Sequence, residues 1–255
     1  MTNIEQLFPE RRSVQLEDAY ADLGLAQLAE GRPRPYVVAN MVATVDGRAS
    51  FSGRTKEISS AADRALFHAL RGQVDAVMAG TATIGIERYG PLVRDEARRE
   101  RRVRRGLSPV PLAVTASRSL QLPVEAPLFS DPDSRIVVLA GAVGEAPDAA
   151  AEVIIERVPG PDGRTLDFLA GVERLRERHG VRTLLLEGGP TVLGAMLEAG
   201  VVDELFLARA PLLVSGPEPT IIEGPPLPGP PRLRLVSLFE DESYLFARYA
   251  VGAPG

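Results

Sequence analysis

The stretch Val181-Arg-Thr-Leu-Leu-Leu-Glu-Gly-Gly-Pro-Thr-Val-Leu-Gly-Ala-Met-Leu-Glu-Ala199 decides how this chain is read. A short apolar run predicts a buried parallel strand, two glycines let the backbone turn sharply, and Pro190 with Thr191 opens a helix. Glycines there leave backbone N–H groups uncovered, and the first turn of the helix adds unpaired donors and the positive end of a dipole. Such a turn is a phosphate socket into which a diphosphate would fit. An ordinary strand-to-helix connection in a wound parallel sheet would use the same residue types. Glu187 favours the ligand site, because a carboxylate at the C-terminal end of a buried strand lies where open α/β sheets hold ligands and is costly to bury without a partner.

Outward from this stretch, strand-like and helix-like segments alternate. Strands are expected at residues 36–44, 76–79, 112–115, 136–140, 152–158, 183–186 and 204–210, and helices at 60–71, 93–105, 166–179 and 191–199. The alternation predicts an α/β fold with a mostly parallel central sheet and helices on both faces. Residues 216–231 are rich in proline and glycine and read as a loop, after which 233–239 and 244–251 resemble an antiparallel hairpin at the C-terminal edge. Residues 1–33 read as an N-terminal helical arm, with one helix around Leu16 to Glu30, docked on a single domain formed by 34–255.

Composition narrows the function. A chain of 255 residues with 45% hydrophobic content supports one large domain with a sizeable core. Its net charge of −5 argues against a nucleic-acid partner, and the arginine-rich run from Arg94 to Arg105 is offset by Asp95, Glu96 and Glu100 and reads as a solvated helix face. With no cysteine and only His68 and His179 as imidazoles, both expected at the surface or a helix end, no metal site is expected. The N-terminus lacks the apolar centre of a signal peptide and no run reaches transmembrane length, so no membrane partner and a cytoplasmic location are expected.

Three further segments could share a pocket with the glycine turn. Asn40 to Arg48 is a strand running into Asp46-Gly47, where the aspartate reads first as a turn-maker. Residues 75–85 form another buried strand ending in Gly80, Thr81 and Thr83, which suit either close ring approach or a helix cap. Arg71 and Arg94 supply cations, although Arg71 at a helix end already complements the dipole. No GxGxxG or Walker A sequence occurs.

Taken in order, Ala43-Thr-Val-Asp-Gly, Ser59-Ser-Ala-Ala-Asp leading to Leu70-Arg71, Asp75-Ala-Val-Met-Ala-Gly-Thr-Ala-Thr-Ile, Leu186-Glu-Gly-Gly-Pro-Thr, and Gly200-Val-Val-Asp-Glu-Leu with Ala210-Pro-Leu-Leu resemble one family. It is the reductase (C-terminal) domain of the bacterial bifunctional deaminase/reductase of riboflavin biosynthesis, within the dihydrofolate reductase-like superfamily, and the resemblance spans Arg34 to Val251. It implies NADPH-dependent reduction of the ribose of 5-amino-6-(phosphoribosylamino)uracil. By the same resemblance, Ala43, Thr83, Ser117 and the turn through Gly188, Gly189, Pro190, Thr191 and Val192 would hold NADPH, with Ser117 and Arg118 candidates for its 2′-phosphate. Thr55, Arg71, Arg94 and Glu187 would meet the substrate, with Glu187 catalytic and the two arginines on its phosphate.

The chain departs from the family at Asn40, where lysine is common, at Glu57, where some members have tryptophan, and at Glu87-Arg88-Tyr89-Gly90-Pro91, which replaces an Asp-Asn-Pro-like turn. It carries no zinc-binding His/Cys set for a deaminase domain, so a stand-alone reductase is expected. A dihydrofolate or pterin reductase is the rival enzyme, requiring a buried carboxylate near the ring, for which Glu57 and Glu187 are available. A non-catalytic nucleotide-binding protein is the rival of another class. A homodimer is expected through the apolar strand at Leu205, Phe206 and Leu207, with Leu212, Leu213, Leu238 and Phe246, unless these side chains fill the monomer core.

Overall fold

Thr183–Leu186 is the strand around which the sheet is organised. In this computed structural model, which describes residues 2–163 and 165–254, Leu184, Leu185 and Leu186 are each 0% exposed, as expected of a parallel strand covered on both faces. In chain order the elements are β1 (Asn3–Phe8), β2 (Arg12–Gln15), α1 (Leu16–Ala19), α2 (Leu25–Leu28), β3 (Tyr36–Thr44), a 3₁₀ turn (Thr55–Ile58), α3 (Ala61–Arg71), β4 (Ala76–Met78), α4 (Thr81–Ile86) and α5 (Glu96–Arg104). There follow β5 (Leu112–Ser117), β6 (Arg135–Ala140), β7 (Glu152–Arg157), α6 (Phe168–His179), β8 (Thr183–Leu186), α7 (Pro190–Glu198), β9 (Glu204–Ala210), β10 (Pro231–Asp241) and β11 (Tyr244–Pro254).

Among the described residues these strands form one 11-stranded sheet in the order β2-β1-β10-β11-β9-β3-β8-β4-β5-β6-β7. Neighbours from β9 through to β7 are parallel. Neighbours from β9 outward to β2 are antiparallel. The expected α/β architecture with an antiparallel edge is therefore present. β8 lies between β3 and β4, although it follows both in sequence, and Ala39, Leu186 and Met78 stand level in the register. The crevice beyond the C-terminal ends of such strands is where wound sheets bind ligands.

Two apolar layers hold the sheet. On one face Leu66 and Leu70 of α3 pack with Val38, Val77 and Leu185. On the other, Val172 and Leu175 of α6 and Leu193 and Met196 of α7 pack with Val37, Met78 and Leu186. Each buried leucine contributes about 1.5–3 kcal/mol of transfer free energy, and period-2 alternation along β8 sends Leu185 to one layer and its neighbours to the other.

The N-terminal segment differs from the expected helical arm. Residues 3–15 form a β1–β2 hairpin that pairs with β10 and extends the antiparallel edge, and only two single-turn helices follow. The continuous helix over 16–30 is broken because Gly24 adopts a left-handed φ of 66° and Tyr20 leaves the helical path to enter the core. There Tyr20 packs edge-on against Phe206 and Phe239, at 5.2 and 6.0 Å between ring centroids. Gln73 serves the opened backbone, accepting from Leu23 N–H and donating to the Tyr20 carbonyl.

One further expectation is corrected. Arg102 is 0% exposed, not part of a solvated face, because its guanidinium donates to the Ser108, Val74 and Arg71 carbonyls. Burial pushes its pKa down to about 10, outweighing the nearby Asp75. His179 stands at a helix end, as expected, as the last residue of α6, with Nε2 3.1 Å from Glu156 Oε1.

At the antiparallel edge, Phe206 and Phe246 fill the monomer core. The opposite face carries an apolar row, with Leu207 opposite Ala247 opposite Leu238 and Leu205 opposite Tyr249 opposite Leu235, in which Leu205 and Ala247 are buried and the other four half-buried. Leu213 nearby is 80% exposed. No helix among the described residues is long and apolar enough to cross a membrane.

Candidate active site

Two glycine turns meet at the C-terminal ends of β4 and β8. Gly188 and Gly189 take φ of 130° and 91°, values that side chains disfavour, and hand the chain directly to α7 with Pro190 in its first turn. Gly80, at an ordinary φ of −64°, leads directly into α4, and its N–H donates to the Gly188 carbonyl at 3.2 Å. A Cβ added at Gly189 would lie 3.3 Å from both Cα and N of Gly80, so the two turns touch main chain to main chain. Neither α4 nor α7 has a side-chain cap, whereas Ser60, Asp95 and Asp167 cap α3, α5 and α6. First-turn donors such as Thr191 and Val192 N–H thus have no capping side chain to answer them.

Thr83 flanks this platform, its Cγ2 3.5 Å from where a Gly188 Cβ would be. Ser117 is buried at the end of β5, with Oγ 3.4 Å from the Gln121 carbonyl, and Arg118 beside it is exposed. Thr83, Ser117 and the residues 188–192 all border one cleft of about 2190 Å³, roughly twice what a single drug-sized ligand occupies. Ala43 does not border it. That residue is buried on β3, while Met41 and Val42 reach the cleft wall.

The other half of the cleft is built from interlocked side chains. Glu187 leaves β8 on the face covered by α3, whose last residue is Arg71. Arg71 Nε and Nη2 donate to the two Glu187 carboxylate oxygens, each at 2.6 Å, and Nη1 donates to the Leu92 carbonyl at 2.9 Å. The half-buried Tyr89 donates its hydroxyl to Glu187 Oε2 at 3.1 Å. The guanidinium lies over the Phe67 ring at 4.5 Å and the Tyr89 ring at 5.6 Å. Burial alone would lower the Arg71 pKa, but the Glu187 carboxylate outweighs it and holds the guanidinium above its ordinary value. Burial, reinforced by the Glu187 charge, raises the Tyr89 hydroxyl well above the usual tyrosine range.

Arg71 and Glu187, expected as separate substrate ligands, are therefore one ion pair, and the Glu187 side chain is 0% exposed. Thr55 is exposed, and both its N–H and Oγ1 donate to Glu87 Oε1 at 2.9 Å. Arg94 is exposed at the rim, its guanidinium against Gly90. Asn40 lines the cleft, half-buried on β3 next to the end of β8. Glu57 is exposed on the 3₁₀ turn and Glu187 is neutralised, so neither is the unpaired buried carboxylate that a pterin ring would need. Asp46 is the turn-maker it was read to be. It accepts from Thr44 Oγ1 at 2.5 Å and Ser215 N–H at 2.7 Å, bonds that hold its carboxyl down at about 2.

Sequence reasoning missed Tyr89 and Glu87 as working residues and left the proline-rich loop without a task. A tyrosine inside a glycine–proline turn was the available signal for the first. The loop straps the cleft edge: the Glu218 carbonyl accepts from Arg48, the Pro219 carbonyl from Ala49 N–H, and Glu223 N–H donates to the Pro190 carbonyl. Its contact requires Gly194, where a Cβ would sit 2.5 Å from the Glu223 carbonyl oxygen.

Comparison with known proteins places this geometry. The RibD C-terminal domain family matches residues 35–245. A reductase of Archaeoglobus fulgidus named for 2,5-diamino-6-ribosylamino-4(3H)-pyrimidinone 5′-phosphate is 28% identical over 193 residues, spanning 75% of this chain and 87% of that protein. The riboflavin biosynthesis protein RibD of Mycobacterium tuberculosis is 30% identical over 185 residues, but the match covers 44% of its length. Relatives matched over most of their length are thus named as reductases alone. A pyrimidine reductase-like protein of Corynebacterium diphtheriae superposes with a TM-score of 0.73 at 25% identity, covering 92% of this chain and 98% of that one. The touching glycine turns, the buried Arg71–Glu187 pair and a family match over residues 35–245 lead to one assignment: this chain belongs to the RibD C-terminal domain family.

Proposed function

We propose that this protein is an NADPH-dependent reductase of a phosphoribosylaminopyrimidine in riboflavin biosynthesis, converting the ribose to a ribityl chain. The observation that carries this reading is the pair of touching glycine turns opening two uncapped helices beside a wall made by Arg71, Glu187 and Tyr89. The names of the relatives support the substrate class.

The residues present fit a dinucleotide. Bare main chain at Gly80, Gly188 and Gly189 lets a diphosphate approach the α7 N-terminus, and the exposed Arg118 beside Ser117 is a cation for the 2′-phosphate that distinguishes NADPH from NADH. The reduced nicotinamide, when bound, supplies the hydride. The chain's own task is to hold the sugar carbon against it and keep water out. Arg71, clamped by Glu187 and stacked between Phe67 and Tyr89, gives that wall a fixed shape. Glu187 acts through Arg71 and Tyr89 as a positioning residue, its side chain being fully buried and both carboxylate oxygens engaged.

An NADPH-oxidation assay tests the reading with the deaminated and non-deaminated phosphoribosylaminopyrimidines, dihydrofolate, and NADH in place of NADPH. Turnover of a pyrimidine, faster with NADPH, is expected. Turnover of dihydrofolate would move the assignment to a folate reductase, and tight NADPH binding with no turnover would make this a nucleotide-binding protein. We further propose that the Leu207–Ala247–Leu238 row and Leu213 pair two copies into a homodimer. Light scattering that shows a monomer at micromolar concentration rejects it.

A further inference from the structure

We propose that Arg102 of α5 is a positioning residue for the reaction, acting through Arg71 by fixing the main chain from which that side chain reaches Glu187. This inference rests on the reading of the protein as a phosphoribosylaminopyrimidine reductase. Helix α5 buries one side chain, and that side chain is a guanidinium. A leucine or methionine would dock the helix at lower cost, because a buried cation must give up its water. Asp75, the carboxylate whose charge Arg102 feels, is itself paired with Arg182 and accepts from Thr183. Arg102 Nη2 is buried with no hydrogen-bond partner among the described residues.

What holds Arg102 is main chain. Nε donates to the Ser108 carbonyl at 2.9 Å, and Nη1 donates to the Val74 carbonyl at 2.9 Å and to the Arg71 carbonyl. Arg71 is the last residue of α3, where carbonyls lose their helical donors and the dipole presents its negative end, so a cation suits that place.

Arg71 is thereby gripped at both ends by one segment. Its carbonyl is held by Arg102, and its Nη1 donates to the Leu92 carbonyl at 2.9 Å. Arg99 Nε turns back from α5 to the Val93 carbonyl at 2.9 Å, which ties the residues beside Leu92 to the helix that carries Arg102. With both ends fixed, the Arg71 side chain delivers Nε and Nη2 to the two Glu187 oxygens at 2.6 Å each. A bidentate pair depends on angle as well as distance. A shift of the α3 end would therefore misalign the pair and move the wall against which the sugar carbon is held. Arg105, one turn further along, donates to the Gly72 carbonyl at 3.2 Å, but it is exposed and its bond is to the residue after Arg71. It is the natural control.

The test uses the full chain as parent, Arg102→Met, Arg102→Lys and Arg105→Ala. Steady-state kinetics with the phosphoribosylaminopyrimidine are measured beside NADPH calorimetry and denaturant unfolding. Arg102→Met keeps bulk and removes the donors, so kcat is expected to fall about tenfold or more with NADPH affinity unchanged. Arg102→Lys, which keeps a cation with donors, should recover most of kcat, and Arg105→Ala should keep all of it. An unfolding cycle reads the same link without turnover: the loss in folding equilibrium constant caused by Glu187→Ala should be at least about fivefold smaller in the Arg102→Met background than in the parent. Arg102→Gln takes the place of Arg102→Met if that variant does not fold. The proposal is overturned if the two losses simply add, if Arg102→Met keeps the parental kcat, if Arg102→Lys is no better than Arg102→Met, or if Arg105→Ala loses as much. A parent that turns over neither pyrimidine sinks the proposed reaction, and the unfolding cycle then decides alone, coupled losses supporting Arg102 as the holder of Arg71 and additive losses rejecting it.

Discussion

Helices α4 and α7 begin without side-chain caps, while α3, α5 and α6 begin on Ser60, Asp95 and Asp167, each accepting a first-turn N–H. The bare starts share one half of the cleft with Gly80, Gly188 and Gly189, where the polar groups on offer belong to the main chain. Across the cleft, Arg71, Glu187 and Tyr89 have satisfied one another. One half leaves main-chain hydrogen-bonding groups uncovered, and the other uses its side chains to make a rigid wall. The two halves should therefore respond to mutation in opposite ways, the glycine half through ligand affinity and the ion-pair half through stability.

The largest expected effect is on the wall. Glu187→Ala leaves the Arg71 guanidinium buried and uncompensated, and breaking a pair of this kind costs about 3–5 kcal/mol of folding free energy. Denaturant unfolding should show that loss. A variant as stable as the parent would mean that Arg71 relaxes to solvent and the wall is not rigid.

On the glycine half, Gly189→Val introduces a side chain at φ 91° against the Gly80 backbone and covers the α7 donors. NADPH affinity is expected to fall by about a hundredfold, from lost main-chain bonds to the diphosphate. Circular dichroism should still report the parental fold. If calorimetry finds parental NADPH affinity, the socket lies elsewhere.

Smaller changes sharpen the contrast. Tyr89→Phe removes one donor to Glu187 and should lower stability by about 1–2 kcal/mol, with little change in NADPH binding. Ser60→Ala removes the α3 cap at a cost of about 1 kcal/mol, and thermal unfolding reads it. No comparable cap exists to delete at α7.

A further effect is electrostatic and appears only as the pH is lowered. His68 has a folded-state pKa near 4 against an ordinary 6.5. The unfolded chain therefore takes up the proton first, and stability falls as pH drops from 6.5 towards 4. His68→Gln should flatten the stability profile across that window, and an unchanged slope would show that burial does not disfavour the charged imidazole.

How far the sequence reveals these halves follows from what they are made of. A main-chain requirement is written directly as residue type, so Gly188-Gly189-Pro190 and the strands at 36–44, 183–186 and 204–210 were legible from periodicity and glycine placement alone. The pairing of Arg71 with Glu187 was not legible, because nothing local links a helix end to a strand end 116 residues away. Arg102 shows the same limit: its helix has no apolar stripe, and only the arriving carbonyls of Val74 and Ser108 explain why an arginine is buried there. At the N-terminus, composition suggested one helix, but the core's need for Tyr20 prevailed.

The late insertion of β8 between β3 and β4 also sets the order in which the molecule can be completed. During synthesis β3 and β4 emerge first, and the position between them stays vacant until residues 183–186 leave the ribosome. Until then the nascent chain carries two apolar strand edges with no partner, the kind of surface that recruits chaperones or pairs wrongly. The cleft, whose floor is the end of β8, is thus one of the last parts of the parallel region to form. Such long-range closure makes for slow folding. Arrested chains ending before residue 183 should remain open to protease at 36–44 and 76–78, and those extending past 210, which carry both partners of β3, should not.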